Sequence, residues 1–161
     1  MLFKGDDLDI GEDWSEKIAC EICRLLGIPH AHYEMACIIG SQYFGVVCES
    51  IVREKQILIH GNELLYNLGD NYPDKNVLLK PRDVKEYSVD CIQNVLTQCD
   101  DLPIDWWDNL PEGIASTLDV FIGYIMLDAL IGNCDRHHEN WGVLADEQYL
   151  FLAPTFDHGA C

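Results

Sequence analysis

Three residues near the end of the sequence have the types and the spacing that phosphoryl transfer requires. Asp135 is followed five residues later by Asn140, and a second aspartate, Asp157, comes after a segment that predicts a β-hairpin. Transfer from ATP uses one carboxylate to orient the attacking hydroxyl, and an amide oxygen and another carboxylate for the metal ions on the phosphates. The pattern predicts that Asp135 orients or deprotonates the hydroxyl. It predicts Asn140 and Asp157 as magnesium ligands, because both offer hard oxygen donors.

The same segment is open to a second chemistry. Histidine, aspartate and cysteine bind zinc, so this part of the chain could also form a metal-dependent hydrolytic centre. The residues of that hypothesis are Cys134, Asp135, His137, His138, Asp157 and His158. Their spacing matches no zinc motif, and Asn140 would have no role. In the phosphoryl-transfer interpretation, His137 holds the loop around Asp135 by hydrogen bonds to backbone or to a carboxylate.

The N-terminal part holds residues that could bind a nucleotide. A kinase needs a lysine on a strand, in contact with the phosphates, and a helical glutamate that positions it. Lys4 and Glu16 have the order and spacing for these roles. An adenine ring would find backbone donors and acceptors where a buried strand ends, an expectation that rests on position alone. The residues at that position are Glu49, Ser50, Ile51 and Val52.

The elements that must position these residues begin with a strand, a helix and two further strands. The helix starts near Asp13, where acidic residues suit the positive end of the helix dipole, and Gly27 ends it. The strands cover 32–39 and 43–52 and are joined by a Gly-Ser hairpin signal. The apolar residues of this helix follow helical spacing: Trp14, Ile18, Ile22, Leu25 and Leu26.

The rest of the sequence, after the two strands, predicts three helices, a loop and the hairpin. Helices are expected over 62–68 and 84–99, followed by a loop over 100–111 that carries Trp106 and Trp107. The clearest helix runs from Pro111 to Gly132, and strands over 141–144 and 149–156 complete the chain. The predicted buried stripe of that helix is Ile114, Leu118, Phe121, Ile122, Ile125 and Leu130.

Composition restricts the class of partner. The 161 residues are 48% hydrophobic with six prolines, which argues against disorder. The formal net charge of −18 argues against nucleic acid and anionic membranes, since both are bound through Lys and Arg. The longest apolar run, over 120–131, is too short to span a bilayer. With no signal-peptide pattern at the start, we expect a cytoplasmic protein.

The eight cysteines are expected to be reduced, because nothing points to a secretory context. Several lie in apolar runs, where a reduced cysteine behaves as a small hydrophobic residue. Cys20 and Cys23 form a C-x-x-C pair on the first helix, but no second pair follows at zinc-ligand spacing. The sequence therefore favours no structural zinc site there.

The chain resembles the HipA-like serine/threonine kinases, a bacterial group distantly related to protein kinases and phosphatidylinositol 3/4-kinases. The resemblance runs nearly end to end, and its most specific parts are the segments 135–142 and 152–158. The other matching segments are 2–4, 12–16, 26–31, 60–63 and 127–133.

The resemblance implies an α+β, partial protein-kinase-like fold with two lobes. A single incomplete domain would cover 1–161, with a small sheet-containing lobe and hinge over about 1–55 and a mainly helical lobe over about 56–161. The implied activity is a transferase reaction in which ATP and magnesium are used to phosphorylate a Ser or Thr hydroxyl of a protein. Lys4 would contact the phosphates with Glu16 as its ion-pair partner, and residues 49–52 would form the hinge against adenine.

The sequence also departs from that group. Its members carry a phosphate-covering loop upstream of the lysine and further helices after the metal-binding aspartate, so we expect an incomplete kinase domain. A non-catalytic nucleotide- or protein-binding remnant therefore stays open beside the kinase and the less favoured hydrolase. The expected partners are ATP, a protein substrate and an antitoxin-like protein, and the phosphate acceptor could also be a lipid headgroup.

Overall fold

The computed structural model describes residues 1–5, 11–41, 43–68, 72–74, 84–100 and 110–159. The described strands form two antiparallel three-stranded sheets, ordered β1-β3-β2 and β4-β5-β6. Helices accompany both sheets, so the α+β expectation is confirmed. The elements are β1 (Leu2–Gly5), α1 (Glu12–Leu26), β2 (Tyr33–Cys37), β3 (Phe44–Cys48), β4 (Ile57–His60), α2 (Gly61–Leu68), α3 (Val89–Leu96), α4 (Thr117–Ile131), β5 (Gly142–Ala145) and β6 (Leu150–Leu152).

The first sheet is covered by α1, which ends as predicted at Gly27. This glycine has a φ of 70° and donates its backbone N–H to the carbonyl of Cys23, a left-handed cap that a residue without a Cβ adopts easily. The small core beneath α1 consists of Cys20, Ala31, Tyr33 and Val46.

The helical spacing of the apolar residues of α1 does not coincide with its buried face. Trp14, Ile18 and Leu25 are 59%, 55% and 77% exposed, and Leu26 is also exposed. The buried face instead consists of Asp13, Glu16, Ala19, Cys20 and Cys23. Small side chains let the helix lie close to the sheet, and the buried Glu16 has an ion-pair partner on β1. The pattern of apolar residues in the sequence could not predict that Lys4 would pair with Glu16 and allow it to be buried.

The second sheet packs with α2, α3 and α4 around the larger core. That core includes Leu65, Val95, Tyr124, Trp141 and Leu152, all of them buried. In α4 the buried face holds Val120, Phe121, Tyr124, Leu127 and Asp128, whereas three predicted core residues, Ile122, Ile125 and Leu130, are exposed. Because apolar residues occur on every side of this helix, periodicity alone could not choose its buried face.

The other predicted elements are present with shifted ends. Strands β2 and β3 and helix α2 are confirmed within the predicted ranges or close to them. Helix α3 begins later than predicted because the Ser88 side chain caps it, and α4 begins after the Ser116 cap rather than at Pro111. Strand β4 was not predicted at all. Most of the predicted loop with Trp106 and Trp107 lies outside the described residues.

A short parallel bridge joins the two halves of the chain. His30 pairs with Thr155, Ala31 donates its N–H to the Thr155 carbonyl at 2.8 Å, and Thr155 donates to the Pro29 carbonyl at 3.0 Å. The loop after α1 is thereby fixed beside the segment that leads to Asp157. Within the described ranges, no helix has the length and apolarity needed to cross a membrane.

Candidate active site

Among the described residues, three carboxylates from two separate parts of the sequence lie around the ammonium group of Lys4. The ammonium nitrogen of Lys4 lies 3.0 Å from Oε1 of Glu16, 3.2 Å from Oδ1 of Asp157 and 3.6 Å from Oε2 of Glu12. With one positive and three negative groups, the cluster carries a formal charge of −2. Such a cluster attracts a cation and repels an anion unless a metal accompanies it.

Local structure explains why these groups meet. Lys4 lies on the edge strand β1, which pairs with β3, and α1 crosses this sheet with Glu16 on its buried side. The second oxygen of Glu16, Oε2, accepts the backbone N–H of His158 at 2.9 Å. Glu16 therefore binds both Lys4 and the residue after Asp157, and it holds β1 and the Asp157 turn together.

The pKa shifts agree with a charged pair. Burial acts to lower the pKa of Lys4, but the carboxylates of Glu16 and Asp157 outweigh it and raise that pKa above the usual lysine value. Burial acts to raise the pKa of Glu16, but hydrogen bonds from His158 and the charge of Lys4 outweigh it and lower that pKa.

These shifts give a stability prediction. Glu16→Gln should lower the free energy of unfolding at pH 7 by about 2 kcal/mol, the scale of a hydrogen bond to a charged group. Because the folded-state pKa of Glu16 is lowered, its contribution is present above the ordinary glutamate pKa of about 4.3 and is lost as the pH falls through the lower folded value. The difference between wild type and variant in urea unfolding should therefore shrink only in acid.

The matched control is Glu12→Gln. Glu12 is the more distant and partly exposed partner of Lys4, so its loss should change stability by less than about 1 kcal/mol. Equal effects of the two substitutions at pH 7 would contradict the assignment of Glu16 as the main partner of Lys4.

The backbone around Asp157 is also specialised. Asp157 has a φ of 60°, which a non-glycine residue adopts at a cost and which often marks functional positions. Thr155 Oγ1 and His158 Nε2 lie 2.9 Å apart beneath this turn, and both residues are buried. At Gly159 a Cβ would lie 2.7 Å from the Lys4 ammonium nitrogen, so a side chain there would displace Lys4 from its partners.

A buried ion pair anchors the loop that carries Asp135. Arg136 binds Asp128 on α4 through two bonds of 2.7 Å, and both side chains are more than nine-tenths buried. Asn133 donates to Asp128 Oδ1 at 2.9 Å and accepts the backbone N–H of Asp135 at 3.0 Å. The position of Asp135 is thus set by a hydrogen-bonded chain that starts from the helix.

Asn140 and His137 lie in the same loop. Asn140 is buried and donates its side-chain amide to the Asp135 carbonyl at 2.7 Å, which leaves its Oδ1 as the oxygen available to a metal. His137 accepts the backbone N–H of Glu139 at 3.2 Å, and its Nε2 lies 3.9 Å from an Asp135 carboxylate oxygen. These contacts are of the kind expected for a residue that holds the loop.

The predicted hairpin brings Asp157 back towards Asn140. Val143 pairs with Leu152, and Ala153 donates its N–H to the Gly142 carbonyl at 3.0 Å. Asn140 precedes β5 and Asp157 follows β6, so both residues lie beyond the same end of an antiparallel pair. The hairpin itself is confirmed, while its role in metal binding is a prediction.

The proposed hinge residues follow β3, as expected from position. Their backbone groups already make local bonds: Cys48 Sγ donates to the Glu49 carbonyl at 3.0 Å, and the Ser50 hydroxyl is 3.1 Å from the Val52 carbonyl and 3.2 Å from its nitrogen. Glu49, Ser50 and Ile51 also line a cavity of about 500 Å³ next to the end of α1. An adenine that used Val52 would therefore replace the exposed Ser50 hydroxyl.

The donors of the hydrolase hypothesis do not converge. His138 is buried with its Nδ1 hydrogen-bonded to the Tyr72 hydroxyl, and His158 lies against Glu16 and Thr155. In the part of the chain that the structure describes, only one group of three histidine, cysteine or carboxylate residues has its donor atoms all within 4.8 Å of one another, and none of the hydrolase residues belongs to it. That group is Cys20, His30 and His32.

Sequence reasoning gave no role to several residues of this site. Asp128 and Arg136 lie in segments that match the HipA-like group, but no role was predicted for them. An aspartate inside a long apolar helix nevertheless indicates a buried charge that needs a partner. His158 was assigned to the hydrolase alternative, whereas its backbone N–H binds Glu16. Backbone contacts of this kind leave no mark in the sequence.

Comparisons with known proteins bear on the fold of the chain. No family model matches the chain, and no curated protein matches it. A solved structure of a Helicobacter pylori proinflammatory kinase, CtkA, is similar, with a TM-score of 0.67 and 20% sequence identity. The similarity covers 99% of this chain and 50% of the solved one, so the chain spans about half the length of that kinase. The chain therefore has a kinase-like fold.

Proposed function

We propose that this chain is part of an ATP- and magnesium-dependent kinase that transfers the γ-phosphoryl group to a Ser or Thr hydroxyl of a protein, as in the HipA-like group. The main support is the ion pair between Lys4 and Glu16, with Asp157 at 3.2 Å from the same lysine. A kinase requires a lysine–glutamate pair next to a metal-binding aspartate. The three residues come from β1, α1 and the segment after β6, so only folding assembles them.

Each residue has a role in this proposal. Lys4 binds the phosphates, Glu16 fixes the direction of Lys4, and residues 49–52 contact adenine. Asn140 and Asp157 hold magnesium, which when bound supplies positive charge to the phosphates. Both ligands are hard oxygen donors, and the formal charge of −2 around Lys4 favours a divalent cation.

Asp135 acts on the acceptor. Its carboxylate orients the hydroxyl and accepts its proton as the oxygen forms a bond to the γ-phosphorus, while the bond from that phosphorus to the β–γ bridging oxygen breaks and ADP leaves. His137 keeps the loop in place. The hydrogen-bonded chain from Asp128 through Asn133 supports this role because it fixes the backbone of Asp135 before substrate arrives.

The first test is ATP binding by isothermal titration calorimetry with magnesium and with EDTA. We expect binding to be at least about tenfold tighter with magnesium, because the acidic cluster repels free ATP and a few close charges are worth more than 1.4 kcal/mol. The control nucleotide is AMP, which lacks the β- and γ-phosphates and should bind weakly under both conditions. Equal ATP affinity with EDTA and with magnesium would contradict the proposed site.

Turnover is tested separately with γ-labelled ATP and casein as a Ser/Thr-containing acceptor. Asp135→Asn should retain magnesium-dependent ATP binding and lose transfer, because Asp135 acts on the hydroxyl and not on the nucleotide. Binding of ATP without transfer by the wild-type chain would favour the non-catalytic nucleotide-binding role. Transfer by Asp135→Asn at the wild-type rate would refute the role of Asp135.

A further inference from the structure

A second group of metal-binding side chains lies away from the proposed phosphoryl-transfer residues. Cys20, His30 and His32 each offer a donor atom, and the three atoms lie within 4.8 Å of one another. We propose that they bind one zinc ion with a water molecule in the fourth position. In the sequence, Cys20 is one half of a C-x-x-C pair that lacks a second cysteine pair. In the structure, two histidines, His30 and His32, lie beside Cys20 instead.

The backbone brings the three residues together before any metal is bound. Cys20 lies on the buried face of α1, and the Gly27 cap turns the chain back so that residues 30–32 run beside the helix. The bridge to Thr155 fixes this segment. Ala31 shares the small core with Cys20, and the donor atoms of the two flanking residues, His30 and His32, lie within 4.8 Å of Cys20 Sγ.

Each proposed ligand has a neighbour of the kind that metal sites use. His30 Nδ1 lies 2.7 Å from the Ile28 carbonyl, so it is the protonated nitrogen and leaves Nε2 as the donor. His32 Nε2 lies 3.2 Å from a carboxylate oxygen of Glu34, an arrangement that orients zinc-binding histidines through their other nitrogen. Cys20 Sγ accepts the backbone N–H of Tyr33 at 3.4 Å, a bond that a thiolate would keep, and its thiol donates to the Tyr33 carbonyl at 3.8 Å, a bond that zinc would replace.

The protonation states agree with this geometry. Burial lowers the pKa of His30, so its ring is neutral and can bind a metal at pH 7. Burial raises the pKa of Cys20, so its thiol is protonated until the metal displaces the proton. Zinc binding should therefore release about one proton at pH 7.

The donor set favours zinc over magnesium. One thiolate and two imidazoles are ligands of borderline softness, whereas magnesium requires oxygen donors. A tetrahedral zinc site places its ligand atoms roughly 3.5 Å apart. The three donor atoms lie within 4.8 Å of one another, so only a small contraction of the group is needed. His32 can make this movement because its side chain is half exposed. The cavity beside α1 is lined by His30 and His32 and leaves room for the water molecule.

Zinc here would connect α1, which carries Glu16, to the loop that pairs with Thr155. The proposal concerns metal binding and does not depend on kinase activity. The test uses the untagged chain, stripped of metal, titrated with Zn²⁺ alone and then with Co²⁺ as a spectroscopic probe. We expect one equivalent to bind, with a thiolate-to-cobalt charge-transfer band and the intense visible bands of tetrahedral Co²⁺.

Four variants locate the site. Cys20→Ser should abolish the charge-transfer band, and His32→Ala, which is exposed and should fold normally, should weaken zinc binding at least tenfold, roughly the loss seen when even an outer-shell partner is removed. Cys37→Ser changes an exposed cysteine outside the group and should leave binding unchanged. Cys23→Ala tests the C-x-x-C alternative and should also leave it unchanged.

Two outcomes would overturn the proposal. One is the absence of a stoichiometric Co²⁺–thiolate band in the wild-type chain. The other is a band that persists in Cys20→Ser or disappears in Cys23→Ala, because the ligands would then be different residues. A Zn²⁺-dependent rise in melting temperature that is lost in His32→Ala would support the site independently of spectroscopy.

Discussion

Asp157→Asn should weaken magnesium-dependent ATP binding by at least about 30-fold, which corresponds to the loss of about 2 kcal/mol expected when one member of a close charge pair is removed. Asp157 supplies the anionic metal ligand in the proposed site. The other two described carboxylates beside Lys4, those of Glu12 and Glu16, could replace it only by releasing Lys4. Asparagine is chosen because it tolerates the φ of 60° better than alanine does.

The same substitution should leave the protein folded. Asp157 is about half exposed and Lys4 keeps its bond to Glu16, so the free energy of unfolding should change by less than about 1 kcal/mol. The affinity is measured by calorimetry at saturating magnesium and the stability by urea unfolding. A loss of binding with intact stability would locate the effect in the metal site.

The matched control for charge is Asp90→Asn. It removes the same charge from an exposed residue in the first turn of α3, and ATP affinity should be unchanged. If Asp157→Asn bound ATP and magnesium as tightly as wild type, the assignment of Asp157 as a metal ligand would be wrong. If both variants lost affinity equally, the effect would come from net charge.

Arg136→Leu should have the largest effect on stability, about 3–5 kcal/mol, because it leaves the Asp128 carboxylate buried without its counter-charge. Both side chains are more than nine-tenths buried, and Arg136 also donates to the Asn140 carbonyl at 2.8 Å. A loss of this size is a large fraction of the stability of an ordinary domain. Urea unfolding monitored by tryptophan fluorescence measures it.

Two comparisons make this prediction specific. Arg24→Leu removes an exposed arginine that pairs with Glu21 on α1, and it should cost less than about 1 kcal/mol. The double variant Asp128→Leu with Arg136→Leu should be more stable than Arg136→Leu alone, because no buried charge remains unpaired. A double variant as unstable as the sum of its single changes would show that the two residues do not act as a pair.

The Arg136 variants also test the link between packing and the site. The Asp128 carboxylate binds Asn133, and Asn133 binds the backbone of Asp135, so loss of Arg136 should disturb the loop as well as the core. The ATP affinity is measured without denaturant, at a temperature where Arg136→Leu is still folded. Under these conditions the affinity of Arg136→Leu should fall below that of Arg24→Leu. Unchanged affinity would mean that the loop holds its shape without the ion pair.

The sequence by itself predicted most of the local structure and the residue types proposed for the chemistry. Gly27 predicted the end of α1 because a left-handed cap favours glycine, and the turn after Ala145 predicted a hairpin. The spacing of Asp135, Asn140 and Asp157 identified residue types suited to magnesium and phosphate, a property of the side chains themselves. The α+β class followed from the order of strands and helices.

Only the tertiary structure decided which side chains meet. Helices α1 and α4 present apolar residues on more than one side, so their buried faces depend on neighbouring elements and not on periodicity. The cluster around Lys4 joins residues separated by up to 153 positions, and the Asp128–Arg136 pair depends on how the loop folds back over α4. The group of Cys20, His30 and His32 arises in the same way, since the distance between donor atoms is set by the packing of a loop against a helix.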